Sequence, residues 1–437
     1  MLPILPDIAQ LARVASFCPL LMCVVLALAS QRTPAHPDLR LRLLAPIRKL
    51  AFDVQESSRC PLQTVQALLI LCWWPLEYEP TSSSPSWNYC GLAMQAALRL
   101  GLHQPHQAGD FVYKDSVNET SLAVRARTWA ACTVVNQTMS CYLGVPATIP
   151  LVNPRVNDVS LKLPAVLEQH LEIAKLDHEV CQVLGFHESQ VNGITQDLMA
   201  WFKIFDGQYE VLSARLANSC AQTSRVSLLK ARLSLYSLLT TACLNHDSSI
   251  SLPSSAVSHI VDSLKCAEAL IHTATNAQSG SLLWPTSTRL AIYHATFYLI
   301  KLSASKWGFI DKGAAKRSIR VAWDALRNAS RGTHDQFDRV CSAIEYMSTI
   351  GTETLYSTSV SVTSRMTSNI VYDTLHCAKQ RHDERARTSR PSEVSRASEQ
   401  ESQPCQTLGT SGDMTWDGLF DFPYLDLDMD DFIFSSA

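Results

Sequence analysis

The residues best equipped for chemistry crowd one end of the chain. Asp413, Asp417, Asp421, Asp426, Asp428, Asp430 and Asp431 fall within residues 413–434, with no Lys or Arg among them. Between them stand Trp416, Leu419, Phe420, Phe422, Tyr424, Leu425, Leu427, Met429, Phe432, Ile433 and Phe434. Uncompensated carboxylates repel one another and keep the rings from collapsing together in water. A partner with an apolar groove and a basic rim takes the rings and satisfies the acids, the behaviour of disordered acidic activation segments. Trp416, Leu419, Phe420 and Tyr424 stand at i, i+3, i+4 and i+8, although Pro423 interrupts a continuous helix; Leu425, Leu427, Met429 and Phe432 form a second anchor set. The run from Asp426 is not a calcium loop, because Asp431 occupies the glycine position and Ala437 the position of the bidentate glutamate. The expected partner is the coactivator machinery of transcription.

No other motif carries chemistry. The 14 cysteines include no C-x-x-C pair, and the closest are Cys18 with Cys23, then Cys132 with Cys141. Zinc sites usually need paired thiolates on tight turns. The cysteines therefore read as small buried hydrophobes in a reducing compartment, as in Leu71-Cys72-Trp73. Asp177-His178-Glu179 and His382-Asp383-Glu384 are charged clusters without metal spacing. No phosphate loop, dinucleotide fingerprint, zinc-protease pair or nucleophile elbow is present. No catalytic residue, metal ligand or cofactor is expected; an enzyme with no recognisable motif is the least favoured alternative, kept because active sites can assemble only in the fold. The net charge of −3 offers no broad basic field, so DNA contact is expected to be indirect.

The elements carrying these residues read as helices. Hydrophobic residues make up 46% and charged residues 18%, with only 15 glycines, which favours a folded all-α body over a turn-rich β architecture. A multi-helix domain is expected over residues 1–378. Leu62 to Trp74 is apolar nearly all round and should be central, stopped by Pro75. Ser86 is placed to cap the next helix, Trp87 to about Leu100. Its buried face is expected to be Cys90, Met94, Ala97, Leu98 and Gly101, with Gly91, Ala93, Ala96 and Ala97 small enough for a close neighbour. Gly101 suits a left-handed closing position, with Leu102 folding back as its hydrophobic partner. Further stripes are Leu290, Tyr293, His294, Phe297 and Ile300; Ile319, Ala322, Trp323 and Leu326; and Phe337, Val340, Cys341, Ile344 and Met347.

Two segments stand apart. Phe17 to Ala29 is strongly apolar and fits a core helix. With Ala27-Leu28-Ala29 as a cleavage-like end it also fits a secretory signal, on which the alternative of a secreted or membrane-attached helical protein rests. It is short for a span, which needs roughly 20 apolar residues, so no membrane association is expected. From Lys379 the composition turns to Arg, Ser, Glu and Gln. Residues 379–410 are expected to be a disordered polar linker, and 411–437 the acidic-aromatic segment.

Ser86-Trp87-Asn88-Tyr89-Cys90-Gly91-Leu92-Ala93, followed by Leu100-Gly101-Leu102-His103, resembles the signature helix of the fungal transcription-factor middle homology region. That region accompanies binuclear zinc-cluster DNA-binding domains. Leu20–Ser30, Val65-Gln66-Ala67-Leu68-Leu69 with Trp74-Pro75, Arg125-Ala126-Arg127-Thr128-Trp129, and Gly144-Val145-Pro146 resemble further landmarks, covering about residues 10–155. The resemblance implies structural roles for Trp87, Gly91, Ala93, Leu100, Gly101, Leu102 and His103. It also implies nuclear location and control of RNA polymerase II genes. Gln95, Asn136 and Val145 depart from residues common in the family, and nothing here matches the six-cysteine cluster. DNA contact is then expected from a zinc cluster outside this sequence, or from a homo- or heterodimeric DNA-binding partner. Target genes and an effector ligand leave no pattern in the sequence.

Overall fold

The structure is a computed structural model that describes residues 4–5, 8–31, 38–55, 60–76, 85–111, 119–149, 162–246, 251–276, 284–330, 335–349 and 360–389. Among the described residues the chain forms fifteen α-helices and no strand, the all-α class that its composition predicts. Residues 390–437 lie outside them, and with them most of the expected linker and every anchor of the acidic segment.

The first helices are α1 (Ile8–Phe17), α2 (Pro19–Ser30), α3 (Leu39–Phe52), α4 (Leu62–Trp73), α5 (Ser86–Arg99) and α6 (Glu119–Leu143). They enclose one core. The apolar stretch from Phe17 to Ala29 is the central part of this bundle: Leu20, Leu21, Val24 and Ala27 of α2 are buried, and α2 packs on α3 and α4. Every residue of α4 from Thr64 to Trp73 is buried, as an all-round apolar helix requires. No helix among the described residues is long and apolar enough to cross a membrane.

The remaining helices are α7 (Ala165–Leu184), α8 (Ser189–Asn192), α9 (Gln196–Leu216), α10 (Gln222–Leu244), α11 (Ser254–Thr275), α12 (Thr286–Ala304), α13 (Lys312–Ala329), α14 (Gln336–Thr349) and α15 (Asn369–Ser389). They build a second core around α10 and α12. α12 is buried on all sides rather than along one stripe, because α10, α11, α13 and α15 pack around it. α13 and α14 keep one buried face each, through Ile319, Ala322 and Leu326, and through Phe337, Val340, Cys341, Ile344 and Met347. Helices α9 and α13 start on side-chain caps, where Thr195 accepts from the Leu198 N–H at 3.2 Å and Asp311 from the Ala314 N–H at 2.9 Å.

α15 continues to Ser389, through Lys379-Gln380-Arg381 and Glu384-Arg385-Ala386-Arg387. Such residues lack the apolar surface to start a fold, but their helix propensity is high, so they extend a helix already nucleated by buried Ile370, Tyr372 and Leu375.

Candidate functional site

The landmarks that lie apart in sequence meet around α5. Its buried stripe is Cys90, Ala93, Met94 and Ala97, facing α4 and α6. Leu98, expected on that face, is 41% exposed, because the helix's contacts lie one step around on Ala93 and Ala96. Ser86 is not the cap. Pro85 holds that position without a side-chain bond, and Ser86 is buried inside the first turn, where its carbonyl accepts from the Cys72 thiol at 3.2 Å. Trp87 is half-buried against the first core. Ala93 is fully enclosed, but Gly91 is not a close-approach position: a Cβ added there meets nothing within 4 Å. Gly91→Ala is therefore expected to stabilise the domain by about 0.5–1 kcal/mol, the helix-propensity gain, measured as a rise in the denaturation midpoint. A loss of stability would show that Gly91 packs against something.

The end of α5 is built from Leu100 to His103. Gly101 takes φ +67°, the left-handed region, and donates to the Leu98 carbonyl at 3.0 Å. Leu102 donates to the Ala97 carbonyl at 3.0 Å and is fully buried, so both bonds of a Schellman closure are made. The guanidinium of buried Arg125 on α6 donates to the Leu100 carbonyl at 2.9 Å, placing a positive charge at the negative end of α5. His103 lies edge-on to Phe111 at 5.2 Å and near Trp129 at 5.9 Å. Burial lowers its pKa, so the ring stays neutral and packs as an aromatic.

Asn136 closes the far side of this group. Its Oδ1 accepts from the Thr148 and Ile149 N–H groups at 3.1 and 3.3 Å, and its Nδ2 donates to the Thr148 hydroxyl at 2.7 Å. The backbone bonds need only an acceptor, which the Asn136 amide oxygen supplies.

A cavity of about 50 Å³ lies between α6, α7, α10 and α12, its wall mostly apolar, with Gln137, Tyr142, His170, Asp177, Lys230 and His294 among its polar lining groups. Such a volume accommodates water or a small polar group. Burial holds His170 down to about 4, and burial with the nearby Lys230 charge holds His294 down to about 3, so both rings are neutral near pH 7. His294 Nε2 lies 2.8 Å from the Ser237 hydroxyl. Burial pulls the Lys230 ammonium down, but the nearby Asp177 carboxylate pulls the other way, and the ammonium is held above its ordinary value. Beside the cavity, the Cys141 thiol donates to Asp177 Oδ2 at 2.9 Å, and the Cys141 and Cys181 sulfurs lie 3.6 Å apart. Sequence spacing hides this group, because Cys141 belongs to α6 and the other two to α7. The one legible signal is the i, i+4 relation of Asp177 and Cys181, which places both on one helical face.

The comparisons agree with this assembly of landmarks. The fungal specific transcription factor domain matches residues 14–241. The regulatory protein LEU3 of Saccharomyces cerevisiae is 24% identical over 42% of this chain and 23% of its own length. The putative transcription factor SEF1 of Kluyveromyces lactis is 32% identical over 38% of this chain and 15% of its own. The transcriptional regulatory protein SEF1 of Candida albicans is 30% identical over 40% of this chain and 20% of its own. The matched part of this chain thus spans less than a quarter of each of these curated relatives. No solved structure matches. The matched region runs from α1 into α10 and includes most of the first core, the α5 closure and the α6–α7 junction; this chain belongs to the family of the fungal specific transcription factor domain.

Proposed function

We propose that this chain regulates RNA polymerase II transcription in the nucleus, with the helical body as its regulatory domain and residues 411–437 as an activating segment. The observation that carries the reading is the family match over residues 14–241, joined in one chain to a stretch of seven aspartates interleaved with rings. The relatives it resembles are named as transcriptional regulators. DNA is reached through a zinc cluster outside this sequence or through a DNA-binding partner, since the chain's net charge of −3 supplies no general attraction to phosphate. Coactivators are the direct partners, taking Trp416, Leu419, Phe420, Phe422, Tyr424, Leu425, Leu427 and Phe432 as anchors.

Fusing residues 405–437 to a heterologous DNA-binding domain is expected to raise a reporter about tenfold or more above that domain alone. Replacing Trp416 and Phe420 with alanine is expected to remove most of that activity, because two anchors worth about 2 kcal/mol each account for more than a tenfold change in affinity. A silent fusion that is expressed and bound to its site removes the activating role. A C-terminal fluorescent fusion of the full chain is expected in the nucleus.

A further inference from the structure

We propose that Cys141, Asp177 and Cys181 form a binding site for one zinc ion, clamping α6 to α7 at the junction of the two cores. One sulfur, one carboxylate oxygen and the second sulfur all lie within 4.8 Å of one another, and all three residues are buried. Two sulfurs bound about 2.3 Å from a tetrahedral zinc stand about 3.8 Å apart. The observed separation is 3.6 Å, whereas a disulfide would need the sulfurs to close to about 2.05 Å. The sulfur pair is thus spaced as zinc ligands are and far from a covalent bond. Thiolate ligands select zinc over the hard cations that carboxylates and carbonyls hold.

A second observation points to a ligand here. Asp177 is 6% exposed, and its Oδ1 is enclosed without a hydrogen-bond partner. An orphan carboxylate oxygen in a core is costly. A cation bound beside it removes that cost. The surroundings suit a metal–thiolate group. Gln137 Nε2 donates to the Cys141 sulfur at 2.9 Å and reaches the Cys181 sulfur at 3.8 Å, while its Oε1 lies 3.1 Å from His178 Nδ1. This is the outer shell that orients and stabilises thiolates. Binding releases one proton from each thiol to solvent as each sulfur–zinc bond forms. Two thiolates, one carboxylate, the dication and the Lys230 ammonium then sum to zero charge. Asp177 also lines the cavity, so a water there completes the fourth position.

The test loads the purified full chain with Co²⁺, then Zn²⁺ in competition with a chromophoric chelator. Wild type is expected to bind one Co²⁺ with thiolate-to-cobalt charge-transfer bands and the visible bands of a tetrahedral ion, both bleached by Zn²⁺. Cys141→Ser and Cys181→Ser are expected to lose the charge-transfer bands. Asp177→Asn, nearly isosteric, is expected to keep the fold and weaken Zn²⁺ binding by about tenfold or more. Cys220→Ser, remote from the cluster, is expected to bind as wild type does. Folded wild type without the bands, an unchanged signal in both cysteine variants, or recovery of a Cys141–Cys181 disulfide from protein handled under reducing conditions would each overturn the site.

Discussion

Asp373→Ala is expected to cost about 3–5 kcal/mol of stability, enough to unfold a large fraction of the protein at ordinary temperature. Asp373 is fully buried, and its Oδ2 lies 2.5 Å from the ammonium of Lys301, itself 4% exposed. Its Oδ1 accepts from the Ser361 N–H at 2.7 Å, the Ser361 hydroxyl at 2.8 Å and the Val362 N–H at 3.3 Å. One carboxylate thus ties α15 to α12 and to the segment at residues 360–362. Removing it strands a charge in the core and two backbone donors without acceptors. The desolvation cost of the stranded lysine, not the strength of the lost pair, dominates. Pairing Asp373→Ala with Lys301→Met is therefore expected to recover much of the loss. Chemical denaturation of the full chain measures both. A single-variant loss below about 1 kcal/mol would mean that Lys301 reaches water once its partner is gone.

Gly144→Ala is expected to cost about 3 kcal/mol or more. Gly144 ends α6 at φ +64°, where an alanine carries a strain of about 1–2 kcal/mol. The Val145 N–H closes the turn on the Ser140 carbonyl at 3.1 Å. A Cβ at Gly144 would also collide with the Arg365 carbonyl oxygen, a backbone atom that cannot rotate away. That approach holds the segment before α15 against the end of α6, where the Ser368 hydroxyl donates to the Cys141 carbonyl at 2.7 Å and Arg365 to the Leu143 carbonyl at 3.2 Å. The variant is expected to show a lowered thermal midpoint and faster amide exchange in α15. Gly101→Ala shares the left-handed strain, and its Cβ would crowd Phe111 as far as that residue's own Cβ, but Phe111 is a 41% exposed side chain rather than a backbone carbonyl, so its loss should be the smaller. Equal losses at the two glycines would show that the Arg365 contact adds nothing to backbone strain.

The helical class, the central place of α4, the closure of α5 at Gly101 and Leu102, and the paired stripes of α13 and α14 were all legible in the order of residues. Each depends on local periodicity or on one backbone preference, which adjacent residues determine. The acidic segment's chemistry is likewise a property of composition. The exposure of Leu98, the open space beside Gly91, the continuation of α15 to Ser389 and the all-round burial of α12 depend on which neighbours arrive, so only the tertiary structure decided them. The same holds for Cys141 with Asp177 and Cys181, and for Lys301 with Asp373, pairs brought together from different helices. Periodicity shows which face of a helix is apolar, but not which side chain of another helix will stand opposite it. The chemistry of a buried polar group depends on that second side chain.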